Sequence, residues 1–222
     1  METHDNTGRV LLINKPFQWT SFDVVNKLRY RLKIKKIGHA GTLDPLATGL
    51  LIICTGTMTK RIEEFMGLEK EYTGKFVLGK TTPSYDLETV ITEVKDVSGL
   101  SDTDIHGATT PLTGNILQLP PMHSAIKVGG KRAYQLARKG QEIELKHREV
   151  EVKTFEITRI QLPEASFRIV CSKGTYIRSI ARDFGMALGV GAYLTDLCRT
   201  RIGKFRLEDA LNIEEVTPDE LL

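Results

Sequence analysis

Asp44, set between Leu43 and Pro45 in the stretch GHAGTLDPLATGLL (residues 38–51), is the side chain in this sequence best suited to do chemistry. Pro45 biases Asp44 away from helix and toward an extended or turn conformation. His39 and Thr42 share the same Gly/Pro-rich turn, a place where side chains project into clefts. A carboxylate on a stiff turn can serve as nucleophile or base. It can equally do no more than cap the turn through its own backbone. Cations supply a second set of candidates. Lys27, Arg29, Arg31, Lys33, Lys35 and Lys36 follow one another with no acid between Asn26 and Lys36. A solvated helix face would mix both signs, so this run favours contact with phosphates. Lys127, Lys131, Arg132, Arg138 and Lys139 surround Tyr134, with Lys146, His147 and Arg148 beyond. Cations interleaved with an aromatic suit a nucleic-acid clamp, the plainer alternative being a solvated basic loop. Arg178 falls in the first turn of an expected helix, where a cation opposes the helix dipole. Its position implies an anion or carboxylate close by.

The 222 residues suit one domain, or one with an appendage, and at 41% hydrophobic and 27% charged they form an ordinary globular composition. No apolar run is long enough for a signal core or a membrane span, which points to the cytoplasm. Cys54, Cys171 and Cys198 are odd in number and widely spaced, as reduced thiols would be, and the five histidines lack the pairing of a metal motif. The net charge of +3 conceals an asymmetry: residues 207–222 hold six acids and no base, leaving 31 bases against 22 acids elsewhere. A basic body suits a polyanionic partner.

The elements that must position these groups follow from periodicity. Val10–Asn14 and Leu50–Cys54 read as buried strands. Thr20-Ser21 offers an N-cap for a helix whose apolar stripe is Phe22, Val24, Val25, Leu28 and Leu32. A short helix capped by Thr57 or Thr59 runs through Met66. Lys70–Lys80 alternates as a strand carrying Tyr72, Thr89–Lys95 as a further one, and a short helix begins near Ser101. Residues 118–140 form an irregular hairpin or extended loop leading into a helix over Ala133–Lys139. Val150–Leu162 alternates with changes of phase that mark bulges, beside an antiparallel strand with Ala165, Phe167, Ile169 and Cys171 on one face. Residues 172–175 turn into a helix with Ile177, Ile180, Ala181, Phe184 and Leu188 buried, ended by Gly189. Tyr176 and Arg178 lie in its first turn.

Taken together, several of these stretches resemble the TruB family of tRNA pseudouridine synthases. The matching segments are Lys15-Pro16 with Thr20-Ser21, residues 38–51, Lys70-Glu71-Tyr72 with Leu78-Gly79, QLPPMHSAIK (118–127) with Tyr134 and Ala137-Arg138, and SKGTYIRSIARDFG (172–185). They stand in the family's order and cover most of residues 10–206. The resemblance implies an α+β fold, a mixed and largely antiparallel sheet flanked by helices with an RNA-binding cleft across it. It implies an isomerase converting uridine to pseudouridine at position 55 in the T-loop of tRNA, monomeric, with neither cofactor nor metal. Asp44 is then the catalytic aspartate, Tyr72 the aromatic packed on the target uracil, and Arg178 the partner of Asp44. His39, Tyr176 and Leu197 line the pocket or contact RNA. Lys15, Lys27, Arg29, Arg31, Lys127, Lys131 and Arg132 are the candidates for the RNA backbone. A non-catalytic tRNA-binding or tRNA-folding protein on the same scaffold is the alternative. Two departures stand out: residues 82–86 (TPSYD) replace a more acidic Thr-Asp-Thr pattern, so no role is assigned there, and Cys198 replaces an arginine. The expected organisation is a catalytic domain over 9–210 and a short acidic tail over 211–222. No PUA-type RNA-binding domain is expected, so the RNA grip falls to the basic segments around 27–36 and 127–148.

Overall fold

β3 (Thr48–Thr55) is apolar at successive positions because both of its faces are covered. Leu51 and Ile53 pack with Leu11 and Ile13 of β1 (Val10–Lys15) and with Val24, Val25, Leu28 and Leu32 of α1 (Ser21–Leu32). Leu50, Ile52 and Cys54 point the other way, toward Phe65 of α2 (Ile62–Gly67) and Ile202. The computed structural model describes residues 8–122, 127–128, 131–132 and 145–217. The chain divides into two compact units, one of residues 1–72 and 197–222 and one of residues 73–196.

In the first unit, β1 runs antiparallel along the whole of β3, Val10 opposite Cys54 and Lys15 opposite Gly49. β2 (Ile37–Ala40) pairs antiparallel with residues 52–55 of β3, and Cys198 and Arg199 of β12 (Ala192–Ile202) pair with Thr48 and Gly49 in parallel. β13 (Phe205–Arg206) folds back on the end of β12. α1 begins on a capping box: Thr20 accepts from the Asp23 N–H, and Asp23 accepts from the Thr20 N–H. Its buried stripe is Ser21, Val24, Val25, Leu28 and Leu32, whereas Phe22, expected inside, is 59% exposed. A one-residue step on a helix turns the side chain by about 100°, which carries Phe22 off that stripe.

The expected boundary at 210 is corrected by packing. Leu211 bridges Ile13, exchanging backbone hydrogen bonds with Leu12 and Asn14, and Ile213 and Val216 are buried in the same cluster as α1. Residues 211–216 are part of the fold.

In the second unit the strands run in the order β4, β11, β10, β7, and β10 pairs antiparallel with both its neighbours. β4 is Lys70–Leu78, β7 Gly114–Gln118, β10 Arg148–Gln161 and β11 Glu164–Cys171. The changes of phase in β10 are irregularities of register, between Val152 and Thr154 and between Ile157 and Arg159. α4 (Ile177–Ala187) sends Phe184 into an aromatic cluster with Phe76, Phe155 and Phe167, where Phe76 and Phe167 stack at 4.1 Å. α3 (Asp102–Gly107) starts on the Ser101 cap as expected. The strand expected over Thr89–Lys95 shrinks to β6 (Glu93–Val94), paired with β5 (Lys80–Thr81). β8 (Lys127–Val128) and β9 (Lys131–Arg132) make the expected hairpin, while Tyr134 and the helix expected over 133–139 lie outside the described residues. The architecture is therefore the expected α+β one, a mixed and mostly antiparallel sheet with helices packed on it. Among the described residues no helix is long and apolar enough to cross a membrane.

Candidate active site

The turn carrying Asp44 links β2 to β3 and is held by three buried polar side chains. Ser21 Oγ, at the start of α1, accepts from the Leu43 N–H at 2.9 Å and donates to the Leu43 carbonyl at 3.2 Å. Lys15 Nζ donates to the Pro45 carbonyl at 3.3 Å, and to those of Trp19 and Pro16 at 2.6 and 2.9 Å. Arg199 Nη2 donates to the Gly41 carbonyl at 3.1 Å while its Nε donates to that of Leu50 at 2.8 Å. Ala47 N–H closes the turn on the Asp44 carbonyl at 3.1 Å. The backbone is thus anchored on both sides of Asp44, whose side chain is half-buried. Gly41 takes a φ of +92°, which a side chain would strain. At Gly49 a Cβ would run into the backbone of Arg199, so glycine is what lets β3 and β12 approach.

Lys15 was expected at RNA phosphates and is instead fully buried, its ammonium satisfied by three carbonyls. Burial pushes its pKa down to about 8, helped by the charge of Arg199 and opposed by the Asp44 carboxylate. An ammonium and a carboxylate therefore attract each other beneath the turn. His39, on β2, is half-buried, and burial followed by the charge of Arg199 pushes its imidazole below the ordinary value. It is neutral at pH 7. Leu197 is 7% exposed on β12, and its carbonyl accepts from Thr48 Oγ1 at 3.4 Å. Tyr72 is 9% exposed on β4, one residue on from Glu71, whose carboxylate accepts from Thr200 Oγ1 of β12 at 3.0 Å. Asp44, His39, Tyr72 and Leu197 all belong to the first unit.

Arg178 and Tyr176 belong to the second. Arg178 is 4% exposed in the first turn of α4, and the anion its position implied is present: Asp86 Oδ2 lies 3.6 Å from its Nε, with the Ser84 carbonyl 3.5 Å from Nη1. Asp86 is itself buried, its Oδ1 accepting from the Glu88 N–H at 2.9 Å. Its carbonyl accepts from Thr82 and Ser84, which folds residues 82–89 around the carboxylate. Tyr176 is the N-cap residue of α4 and makes no side-chain cap; buried Gln118 instead pairs with both its N–H and its carbonyl, at 2.8 and 3.1 Å.

Sequence reasoning gave no site role to Ser21 and Arg199 in the first unit or to Asp86 and Gln118 in the second, the buried polar side chains that hold these segments. Only the misplaced cation at Arg178 signalled any of them, by demanding a carboxylate partner.

The basic candidates separate by exposure. Lys27 is exposed and Arg29 half-exposed, its Nη1 donating to Asn26 Oδ1 at 2.6 Å. Arg31 is committed elsewhere, its Nε and Nη2 donating to the carbonyls of Val216 and Glu214 at 2.6 and 2.8 Å. Lys127 lies on β8, Lys131 and Arg132 on β9. Among the described residues no three His, Cys, Asp or Glu side chains cluster as a metal site requires.

Comparison with known proteins gives the same assignment by another route. Residues 29–177 match the family described as TruB family pseudouridylate synthase (N terminal domain). The tRNA pseudouridine synthase B of Flavobacterium johnsoniae is 54% identical over 213 residues, covering 93% of each chain. That of Phocaeicola vulgatus is 54% identical too, covering 93% of this chain and 91% of the relative. Among solved structures, an H/ACA RNP bound to a substrate RNA containing 2′-deoxyuridine superposes with TM-score 0.71 at 27% identity over 96% of this chain. A Cbf5-Nop10-Gar1 complex gives 0.73 at 29% over 93%. The chain spans about half the length of those two solved chains, 53% and 52%. With the pinned aspartate turn and the family match in agreement, this chain belongs to the TruB family of pseudouridylate synthases.

Proposed function

We propose that this chain isomerises the T-loop uridine at position 55 of tRNA, with Asp44 as the catalytic carboxylate. Conversion of uridine to pseudouridine in tRNA is the activity that goes with the family; the choice of uridine and the residue roles are the proposal. The reaction breaks the N1–C1′ bond, turns the uracil and joins C5 to C1′. The proton lost from C5 is balanced by one gained at N1, so nothing is oxidised or reduced. A carboxylate can carry this by adding to sugar or base, or by stabilising the intermediate. The anchored turn supports that role for Asp44, since Ser21, Lys15 and Arg199 fix its backbone before substrate arrives. In this reading Arg178 pairs with the Asp44 carboxylate and Tyr72 stacks on the uracil. His39, Tyr176 and Leu197 line the pocket. Extruding the base costs a few kcal/mol, and stacking worth about 1–3 kcal/mol offsets much of it. Lys27 and Arg29 on α1, with Lys127, Lys131 and Arg132 on the hairpin, take the RNA backbone. The reading extends to a monomer working in the cytoplasm on the T-arm.

The observation that carries it is the carboxylate on an immobilised turn within a chain 54% identical to a tRNA pseudouridine synthase B over nearly its full length. Tritium release from unmodified tRNA labelled at uridine C5 tests it. The intact protein should release label, and Asp44→Asn should bind tRNA while releasing none. Absence of release by the intact protein, or release by Asp44→Asn at the native rate, overturns the proposal.

A further inference from the structure

Three aromatic side chains of the first unit lie outside in water. Phe17 is 51% exposed, Phe22 59% and Tyr30 87%. Phe17 sits in the loop whose two flanking carbonyls, of Pro16 and Trp19, bind Lys15 Nζ together with that of Pro45. Phe22 follows Ser21, whose hydroxyl holds both the N–H and the carbonyl of Leu43. Both rings are thus within two residues of groups bonded to the turn that carries Asp44. Phe22 and Tyr30 are eight residues apart on α1, with about 12 Å of rise and about 80° of rotation between them. Tyr30 is flanked at three residues on either side by Lys27 and Lys33, both exposed. The acid on this helix, Asp23, is spent on the cap, accepting from the Thr20 N–H and hydroxyl at 2.8 and 2.6 Å.

We infer that Phe17, Phe22 and Tyr30 form a stacking platform for unpaired bases of the tRNA beside the target uridine. This rests on the tRNA-modifying reading above and adds a second binding surface to it. Solvated phenylalanines gain nothing where they are, whereas every base presents a π-face to a ring. The cations around Tyr30 decide the partner: exposed rings on and beside a helix rich in lysine and arginine complement a chain that carries flat bases on a phosphate backbone. An ordinary protein partner would not need the unbroken positive run from Lys27 to Lys36.

The test is binding of an unmodified tRNA transcript across a series of salt concentrations. The triple variant Phe17→Ala/Phe22→Ala/Tyr30→Ala should bind about tenfold or more weakly, the loss expected for one or more stacked bases. Its slope of log affinity against log salt should not change, because every cation that pairs with a phosphate is still in place. Lys27→Ala/Lys33→Ala should instead lower that slope by about 0.7–0.9 for each phosphate left without its lysine. Restoring rings with Phe22→Tyr and Tyr30→Phe should keep native affinity, which separates stacking from a general effect of substitution. Thermal unfolding should show the variants folded, since all three side chains lie outside the core. If the triple variant binds as tightly as the native protein while the native protein forms pseudouridine, the platform is refuted and the enzyme reading stands. If the native protein neither binds tRNA nor releases label, the enzyme reading itself falls.

Discussion

Lys15 is a cation placed where no solvent reaches it, and its environment makes a prediction with a definite sign. The unfolded chain holds the Lys15 proton up to about 10.5, the folded chain only to about 8, with burial as the main cause. Between those limits the unfolded state binds more protons, so the contribution of this residue to stability rises with pH. Below about 8 both states are protonated and the contribution is flat. Stability measured against denaturant at pH 7 and pH 10 should therefore shift in favour of the native protein relative to Lys15→Met as the pH is raised. A shift of the opposite sign would mean that the ammonium is better solvated in the fold than in water. The same residue shows what a single letter conceals. A lysine followed by proline at a strand end reads as surface, and only the convergence of the Pro16, Trp19 and Pro45 carbonyls makes a buried ammonium tolerable.

At the scale of the element, the Asp44 turn depends on a strand remote in sequence. Arg199 of β12 reaches the Gly41 carbonyl at one end of the turn and the Leu50 carbonyl beyond the other. Arg199→Met keeps much of the volume and leaves both carbonyls without that partner, at a cost of about 1–3 kcal/mol. It also removes the positive charge that, after burial, holds down the His39 imidazole. The His39 resonance should then titrate at a higher pH in the variant, and tritium release should slow as the turn loosens. An unmoved His39 titration would show that the guanidinium does not act on this turn. The turn at Asp44 was legible because proline among glycines is a local signal, and so was the demand for an anion at Arg178. Asp86 and Arg199 were not, because what distinguishes them is burial against partners about 90 and 150 residues away. Phe22 was misplaced for a related reason. Phe22, three residues before Val25, passes for the edge of the apolar stripe, yet the inward residue is a serine whose hydroxyl binds Leu43.

At the scale of the molecule, the first unit is closed by residues far along the chain from its other elements. Residues 8–72 supply β1, α1 and β3, yet Ile213 and Val216 complete the cluster beneath α1, and the Arg31 guanidinium ties down the Glu214 and Val216 carbonyls. The acidic character of residues 207–222 hid this, since Leu211, Ile213 and Val216, irregularly spaced among acids, carry little periodic signal. The single tryptophan, Trp19, packs on the same cluster and so reports on this unit from within. Val216→Ala empties part of a fully buried site and should cost about 1–3 kcal/mol. Glu214→Gln changes an exposed side chain whose carbonyl, not carboxylate, serves Arg31, and should stay within about 0.5 kcal/mol of native. Denaturant unfolding followed by Trp19 emission should therefore shift its midpoint down for Val216→Ala and leave it in place for Glu214→Gln. Equal midpoints for native protein and Val216→Ala would mean that residues 211–216 contribute nothing to the core, and the boundary at 210 would stand after all.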